Sequence, residues 1–152
     1  MSTLPHAVTF REDGPREGFQ AIQEIIPTEK KLELIQALSE TGVTSIEVTS
    51  FVRPDRVPQL ADCDDLSRRL TKRPNLSYHA LALNLLGFDR ARAHPALTPL
   101  GFVMIAASES FLKRNNNRTL AQSFAEFPEW VGRFRDAGVP FSRLMISTAF
   151  GD

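Results

Sequence analysis

The 152-residue chain has a single cysteine, Cys63, one tryptophan and one tyrosine, and its 18 basic and 18 acidic residues cancel. One cysteine excludes an internal disulfide, and a reducing cytoplasm is the simplest setting. Balanced charge gives no electrostatic reason to expect a nucleic-acid or membrane-surface partner. No apolar run approaches the ~18–20 residues a membrane span needs. The opening MSTLPHAVTFRED lacks the basic and apolar segments of a secretory signal. Low-complexity tracts and charge blocks are also missing. What is present is globular: 42% hydrophobic and 24% charged residues, in a chain long enough for one ordinary domain with a real core.

Short β-like runs alternate with longer helical patterns. AVTF (7–10) reads as a first strand. TEKKLELIQALSETG (28–42) reads as a helix, with Thr28 as its cap, Leu32, Ile35 and Leu38 at helical spacing, Leu34 widening the stripe, and Gly42 as its stop. VTSIEVTSFV (43–52) is rich in β-branched residues and reads as a second strand. Segment 61–73 carries acids at its start and bases at its end, as a helix dipole favours. LSYHALALN (76–84) reads as a strand, 85–94 as a short helix, and LGFVMIAAS (100–108) as a strand buried on both faces. Residues 118–138 place Leu120, Phe124, Phe127, Val131 and Phe134 on one helical stripe, with Pro128 expected to kink or divide it. FSRLMISTAF (141–150) is a fifth strand.

Helices between strands imply parallel pairing with right-handed crossovers. Two architectures compete: a five-stranded doubly wound sheet, complete at about this length, and part of a (β/α)8 barrel, which needs ~250 residues. Length by itself favours the open sheet. Both architectures put ligands at the carboxyl ends of strands.

Four motifs, in order, change that balance: GPREGFQ (14–20), IEVTSFV (46–52), VPQLAD (57–62) and AASESFLKRNN (106–116). Together they resemble hydroxymethylglutaryl-CoA lyase and its relatives, metal-dependent TIM-barrel lyases related to isopropylmalate and homocitrate synthases. The resemblance spans residues 8–150. It implies an α/β chain of parallel βα repeats that forms the first five strands of a TIM barrel, a single partial domain over 1–152. It also implies retro-Claisen cleavage of a 3-hydroxy-3-methylacyl-CoA thioester, with an acyl-CoA as substrate and Mg2+ or Mn2+ as cofactor.

The resemblance assigns roles residue by residue. Arg16 would stabilise a developing enolate, where a fixed guanidinium is most useful. Glu17 stands where the lyases carry a metal-ligating aspartate; it supplies the oxygen donor a hard cation prefers, and it matches the Arg-Glu-Gly of homocitrate synthases. Gly14 and Gly18 would give an active-site loop its tight backbone. Glu47, on a strand where an unpaired charge would be costly, would organise catalytic groups. Gln20, Ser50 and Asn84 would line the substrate site. Lys113, with Asn115 in the same loop, would reach toward coenzyme A as a point charge. Against these stand ordinary readings: a turn arginine, a strand-end glutamate paired with a cation, a solvated polar loop. His6, His79 and His94 read as structural or exposed. Cys63 reads as structural, because neighbouring acids raise a thiol's pKa.

Two family features have no counterpart. The sequence contains no His-x-His pair, and nothing matches the family's later glycine-rich cysteine loop. The open alternatives are therefore a lyase, a Claisen condensing enzyme of the same superfamily, and a non-catalytic truncated or split half-barrel. A partial barrel leaves strand edges and an apolar sheet face open, so a homo-oligomer, or a partner supplying the remaining strands, is expected.

Overall fold

The computed structural model describes residues 4–151, and the chain divides into two compact units, Met1–Pro99 and Leu100–Asp152. In the first unit, three parallel strands β1 (Arg11–Glu12), β2 (Ser45–Ser50) and β3 (Ser77–Leu81) lie in the order β1-β2-β3. Helix α1 (Gly14–Ala21) follows β1, α2 (Thr28–Ser39) leads to β2, α3 (Cys63–Arg69) to β3, and α4 (Leu85–Arg92) follows β3; a 3-10 turn, Pro58–Leu60, precedes α3. The second unit pairs β4 (Gly101–Ala106) with β5 (Phe141–Ser147), also parallel, joined through α5 (Glu109–Asn116) and α6 (Leu120–Asp136).

The two faces of the β1-β2-β3 sheet differ. Ile46 and Val48 of β2 and Tyr78 of β3 cluster with Ile35 of α2, Leu66 of α3 and Ala91 of α4. Each fully buried side chain of the larger kind is worth about 1.5–3 kcal/mol. The alternate residues are polar. Arg11 sits level with Ser45, and Glu47 with His79, in the parallel ladder. A register shift between Glu47 and Thr49 marks a bulge in β2, a device that re-aims side chains at a strand's end.

Several expectations need correcting. AVTF is outside any strand; pairing begins only at Arg11, and Val8 and Phe10 are exposed. GPREGFQ is a helix, with Asp13 at its start and Pro15 in its first turn. Proline there loses only a donor that has no intrahelical partner. Gly14 and Gly18 accordingly have no left-handed backbone. Gly14 instead keeps clear of a carboxylate: its N–H donates to Glu12 Oε1 at 2.5 Å, and a Cβ would lie 2.6 Å from that oxygen. Thr28 does not cap α2; its hydroxyl bonds Asp62 Oδ2 at 2.7 Å. Leu34 is exposed, whereas Ile35 is buried. Gly42 does adopt a left-handed φ of 88° just beyond α2.

In the second unit, segment 109–116 is helix α5 rather than loop. Ser108 caps it through the Phe111 N–H at 3.2 Å, and Asn117 at φ 52° ends it. Helix α6 runs through Pro128 undivided. Its start is fixed by a capping box between Thr119 and Gln122, with bonds of 3.1 and 2.9 Å. Its buried contacts are Trp130 and Phe134, while Phe124 and Val131 are exposed. Phe134 stacks on Phe141 of β5 at 6.3 Å, and Phe127 meets the same ring edge-on at 5.6 Å.

Candidate active site

Glu47 is the centre of the polar face. Its side chain is 4% exposed, and a carboxylate so placed needs opposite charge and hydrogen bonds. Two guanidiniums supply both. Arg16 Nε donates to Oε1 at 2.7 Å, and Arg11 donates to Oε2. Arg11 also bonds Asp13 Oδ1 at 2.7 Å. Arg16 is therefore held by a buried anion rather than free in a turn. Its Nη1 donates to Glu17, which leaves the rest of its five N–H donors for another acceptor.

The other assigned residues of this unit lie at the carboxyl ends of the same strands. Arg16 and Glu17 are on α1, just after β1; Ser50 is the last residue of β2; Asn84 follows β3. Ser50 is buried, and its Oγ has no hydrogen-bond partner; neither has the neighbouring Thr49 Oγ1. Buried hydroxyls are nearly always satisfied, so an unpaired one at a strand's carboxyl end is suited to a ligand. Asn84 acts locally, since its Oδ1 accepts from the Gly87 N–H at 2.7 Å and caps α4. Gly87 is required there, because a Cβ would lie 2.5 Å from the Phe51 carbonyl oxygen. Gln20 is exposed in the last turn of α1. Lys113, in the second unit, is exposed in the last turn of α5, where a cation suits the helix dipole.

Glu17 is two-thirds exposed and has the right chemistry for a hard cation. However, it accepts from Arg16, and among the described residues no group of three His, Cys, Asp or Glu could hold a metal. These residues do not by themselves fit a metal centre.

Arg11 was not legible as a site residue in the sequence. Its signal is its place in RED, immediately before GPREG. Two histidines are also more engaged than their sequence context suggests. His79 is buried level with Glu47, its Nδ1 2.8 Å from the Thr98 carbonyl oxygen. His94 Nε2 is 2.8 Å from Asp64 Oδ1. Burial pushes Asp64 up, but hydrogen bonds from Arg90 and His94 outweigh it and hold the carboxyl below its usual range. Cys63 is buried as expected; burial first, then its acidic neighbours, push its thiol up against the pull of Arg90.

The family model described as HMGL-like matches residues 7–149. The chain belongs to this family. It is 43% identical to the cytoplasmic 3-hydroxy-3-methylglutaryl-CoA lyase of Mus musculus over 97% of its own length and 42% of that protein's. It is 40% identical to the mitochondrial hydroxymethylglutaryl-CoA lyase of Rattus norvegicus, over 99% of this chain and 46% of the relative. A crystal structure of the Bacillus subtilis HMG-CoA lyase superposes with a TM-score of 0.85 at 32% identity, covering 97% of this chain and 49% of that one. The chain thus spans about half the length of the relatives it matches, and its fold is that of the TIM-barrel lyases. The doubly wound alternative, which length had favoured, is set aside. No described helix is long and apolar enough to cross a membrane.

Proposed function

We propose that this chain carries the first half of the active site of a carbon–carbon lyase that cleaves 3-hydroxy-3-methylglutaryl-CoA, or a similar acyl-CoA, to acetyl-CoA and a keto acid. The observation that carries the reading is Arg16, just beyond the carboxyl end of β1 and held at 2.7 Å by the buried Glu47 of β2, in a chain of the HMGL-like family. In this reaction a base takes the substrate's hydroxyl proton and the adjacent carbon–carbon bond breaks as the keto group forms. The electron pair passes to the thioester as an enolate, and an acid protonates its carbon. Arg16 is suited to the enolate oxygen. Its Glu47 bond fixes the guanidinium before charge develops, so little reorganisation is needed. Ser50, with its buried unpaired hydroxyl, fits a substrate contact. Gln20 and Asn84, and separately Lys113 of the second unit, are proposed substrate contacts. Asn84 acts by setting the start of α4, and Lys113 as a charge for coenzyme A phosphates.

The proposal includes dependence on Mg2+ or Mn2+, with Glu17 as one ligand and the other donors outside the described residues. It treats the chain as one partial barrel domain, located in the cytoplasm, although relatives of both cytoplasmic and mitochondrial description match. The test is cleavage of 3-hydroxy-3-methylglutaryl-CoA by the protein at its native length. Mn2+-dependent activity that falls about 100-fold or more in Arg16→Met is the expected result. No cleavage of any 3-hydroxyacyl-CoA would refute the reading, and calorimetry showing no Mn2+ binding would remove Glu17's role.

A second reading has its own observation. β5 is exposed along almost its whole length, including Phe141, Leu144, Met145 and Ile146. That face fits further barrel strands, from the same polypeptide, a second one or another copy. The intact mass of the protein from its own cells distinguishes these: a mass near 32 kDa, on the order expected for a complete barrel, points to one polypeptide, and 17.0 kDa to a partner or a non-catalytic half.

A further inference from the structure

The VPQLAD motif takes no part in the chemistry above, yet it surrounds the most unexpected side chain in the molecule. Lys31 lies on α2 between the exposed Lys30 and the half-buried Leu32, in a run that reads as solvent-facing, and is 1% exposed. A buried ammonium must be neutralised and must place its three donors. Its Nζ donates to Asp62 Oδ1 at 2.7 Å and to the Gln59 carbonyl oxygen at 2.5 Å. It also lies 5.9 Å from the centre of the Phe19 ring, within cation–π range. The second oxygen of Asp62 is taken by Thr28 Oγ1 at 2.7 Å. Gln59 then reaches the other way: its Nε2 donates to the Ile22 carbonyl oxygen, at the end of α1, at 2.9 Å.

Both attachments of α1 to this cluster involve its second half. Phe19 stands one helical step of three from Arg16, so the two share a face. The other end of α1 is held by the Arg16–Glu47 bond. We infer that Lys31, with Gln59 and Asp62, is a positioning residue that sets the placement of α1 and so delivers Arg16 to Glu47. The inference deepens the lyase reading and rests on it for its catalytic consequence, but its structural half stands on the contacts alone. The buried charge gives the cluster its direction. An apolar side chain at 31 would fill the space, but it would release the Gln59 carbonyl and Asp62 together and so loosen the support under the second half of α1.

The test uses the native-length protein, with Lys31→Met, Lys31→Arg and Gln59→Leu. Two readouts are taken: hydrogen–deuterium exchange resolved over residues 14–22, and kcat and KM for 3-hydroxy-3-methylglutaryl-CoA. Lys31→Met is expected to speed exchange in 14–22 about tenfold, with β2 and β3 unchanged. It should lower kcat by about 10- to 100-fold while KM moves less than about threefold, since misplacing a transition-state contact costs kcat. Lys31→Arg should restore part of both. Gln59→Leu, which alters a partly exposed side chain and leaves the buried charge paired, keeps the inference open to refutation if Lys31→Met does not fold. It should loosen 14–22 in the same direction by a smaller factor. Unchanged exchange at 14–22 in folded variants, or exchange that rises evenly through residues 4–99, would overturn the inference. If the parent protein cleaves no acyl-CoA, the proposed function fails, while the exchange result still decides whether Lys31 positions α1.

Discussion

Strands β2 and β5 have similar sequences and opposite fates. SIEVTS and FSRLMIS both mix β-branched or long apolar residues with a charge or a hydroxyl. β2 is buried at every position after its first, whereas β5 is exposed at every position before its last. The difference is in their neighbours. β2 has a ladder partner on each edge, β1 and β3, and helices over its apolar face. Among the described residues β5 pairs with β4, and rings of α6 pack on its first residue, Phe141. A strand's burial thus follows from what lies on both of its sides, and only the strand with full cover can keep a charge inside. Glu47 is secure because two guanidiniums share its enclosure; Arg143 on β5 faces water.

That contrast can be broken most forcefully at its buried charge. Glu47→Gln removes the buried anion that Arg16 and Arg11 share and is expected to cost about 3–5 kcal/mol, read as a lower urea midpoint, as well as the proposed activity. The next effect compares close backbone approaches in the two units. Gly101→Ala places a Cβ 2.1 Å from the Pro140 carbonyl oxygen, and Gly87→Ala places one 2.5 Å from that of Phe51. In neither case can the backbone yield cheaply, and each should cost about 1–3 kcal/mol. Gly101→Ala should loosen the β4–β5 pair, and Gly87→Ala the start of α4, both visible by amide exchange.

A smaller effect follows from pH. Asp64 has a folded-state pKa below its ordinary 3.8, so its bonds to Arg90 and His94 add stability that is present above 3.8 and lost as pH falls through the lower, folded value. Asp64→Asn should therefore lower the urea midpoint near neutral pH, with the gap to the parent protein closing as pH falls through the lowered folded-state pKa. The least effect is expected on β5 itself. Ile146→Lys, at a position half exposed, should change stability by less than about 0.5 kcal/mol while reducing self-association in sedimentation. A large loss of stability there would mean that the strand is covered in solution.

Much of the fold was legible in the sequence for local reasons. β2 was marked by its β-branched run, the end of α2 by Gly42, and the length of α6 by its apolar spacing. The elements that went astray were those where punctuation residues have two uses. Gly-Pro in GPREGFQ signals a turn, but proline is equally at home in the first turn of a helix, and that is where Pro15 lies. AVTF has the composition of a strand but no partner to pair with before Arg11. On α6, spacing permitted two neighbouring stripes, and Trp130 rather than Phe124 is buried. For the site, Arg16, Glu17 and Glu47 were legible as a family pattern. Arg11 and Lys31 were not, because a cation's composition and local spacing do not say which distant anion it will meet.

The sequence by itself determined the order of strands and helices, their parallel pairing and the motifs that mark the family, since these follow from periodicity, chain reach and residue identity. Only the tertiary structure decided which charges go inside. Burying Glu47 or Lys31 is tolerable solely when partners from elsewhere in the chain arrive within hydrogen-bonding distance. Those partners, Arg11 and Arg16 for one, Gln59 and Asp62 for the other, are brought together by packing across separations of about 30 residues that no local pattern records.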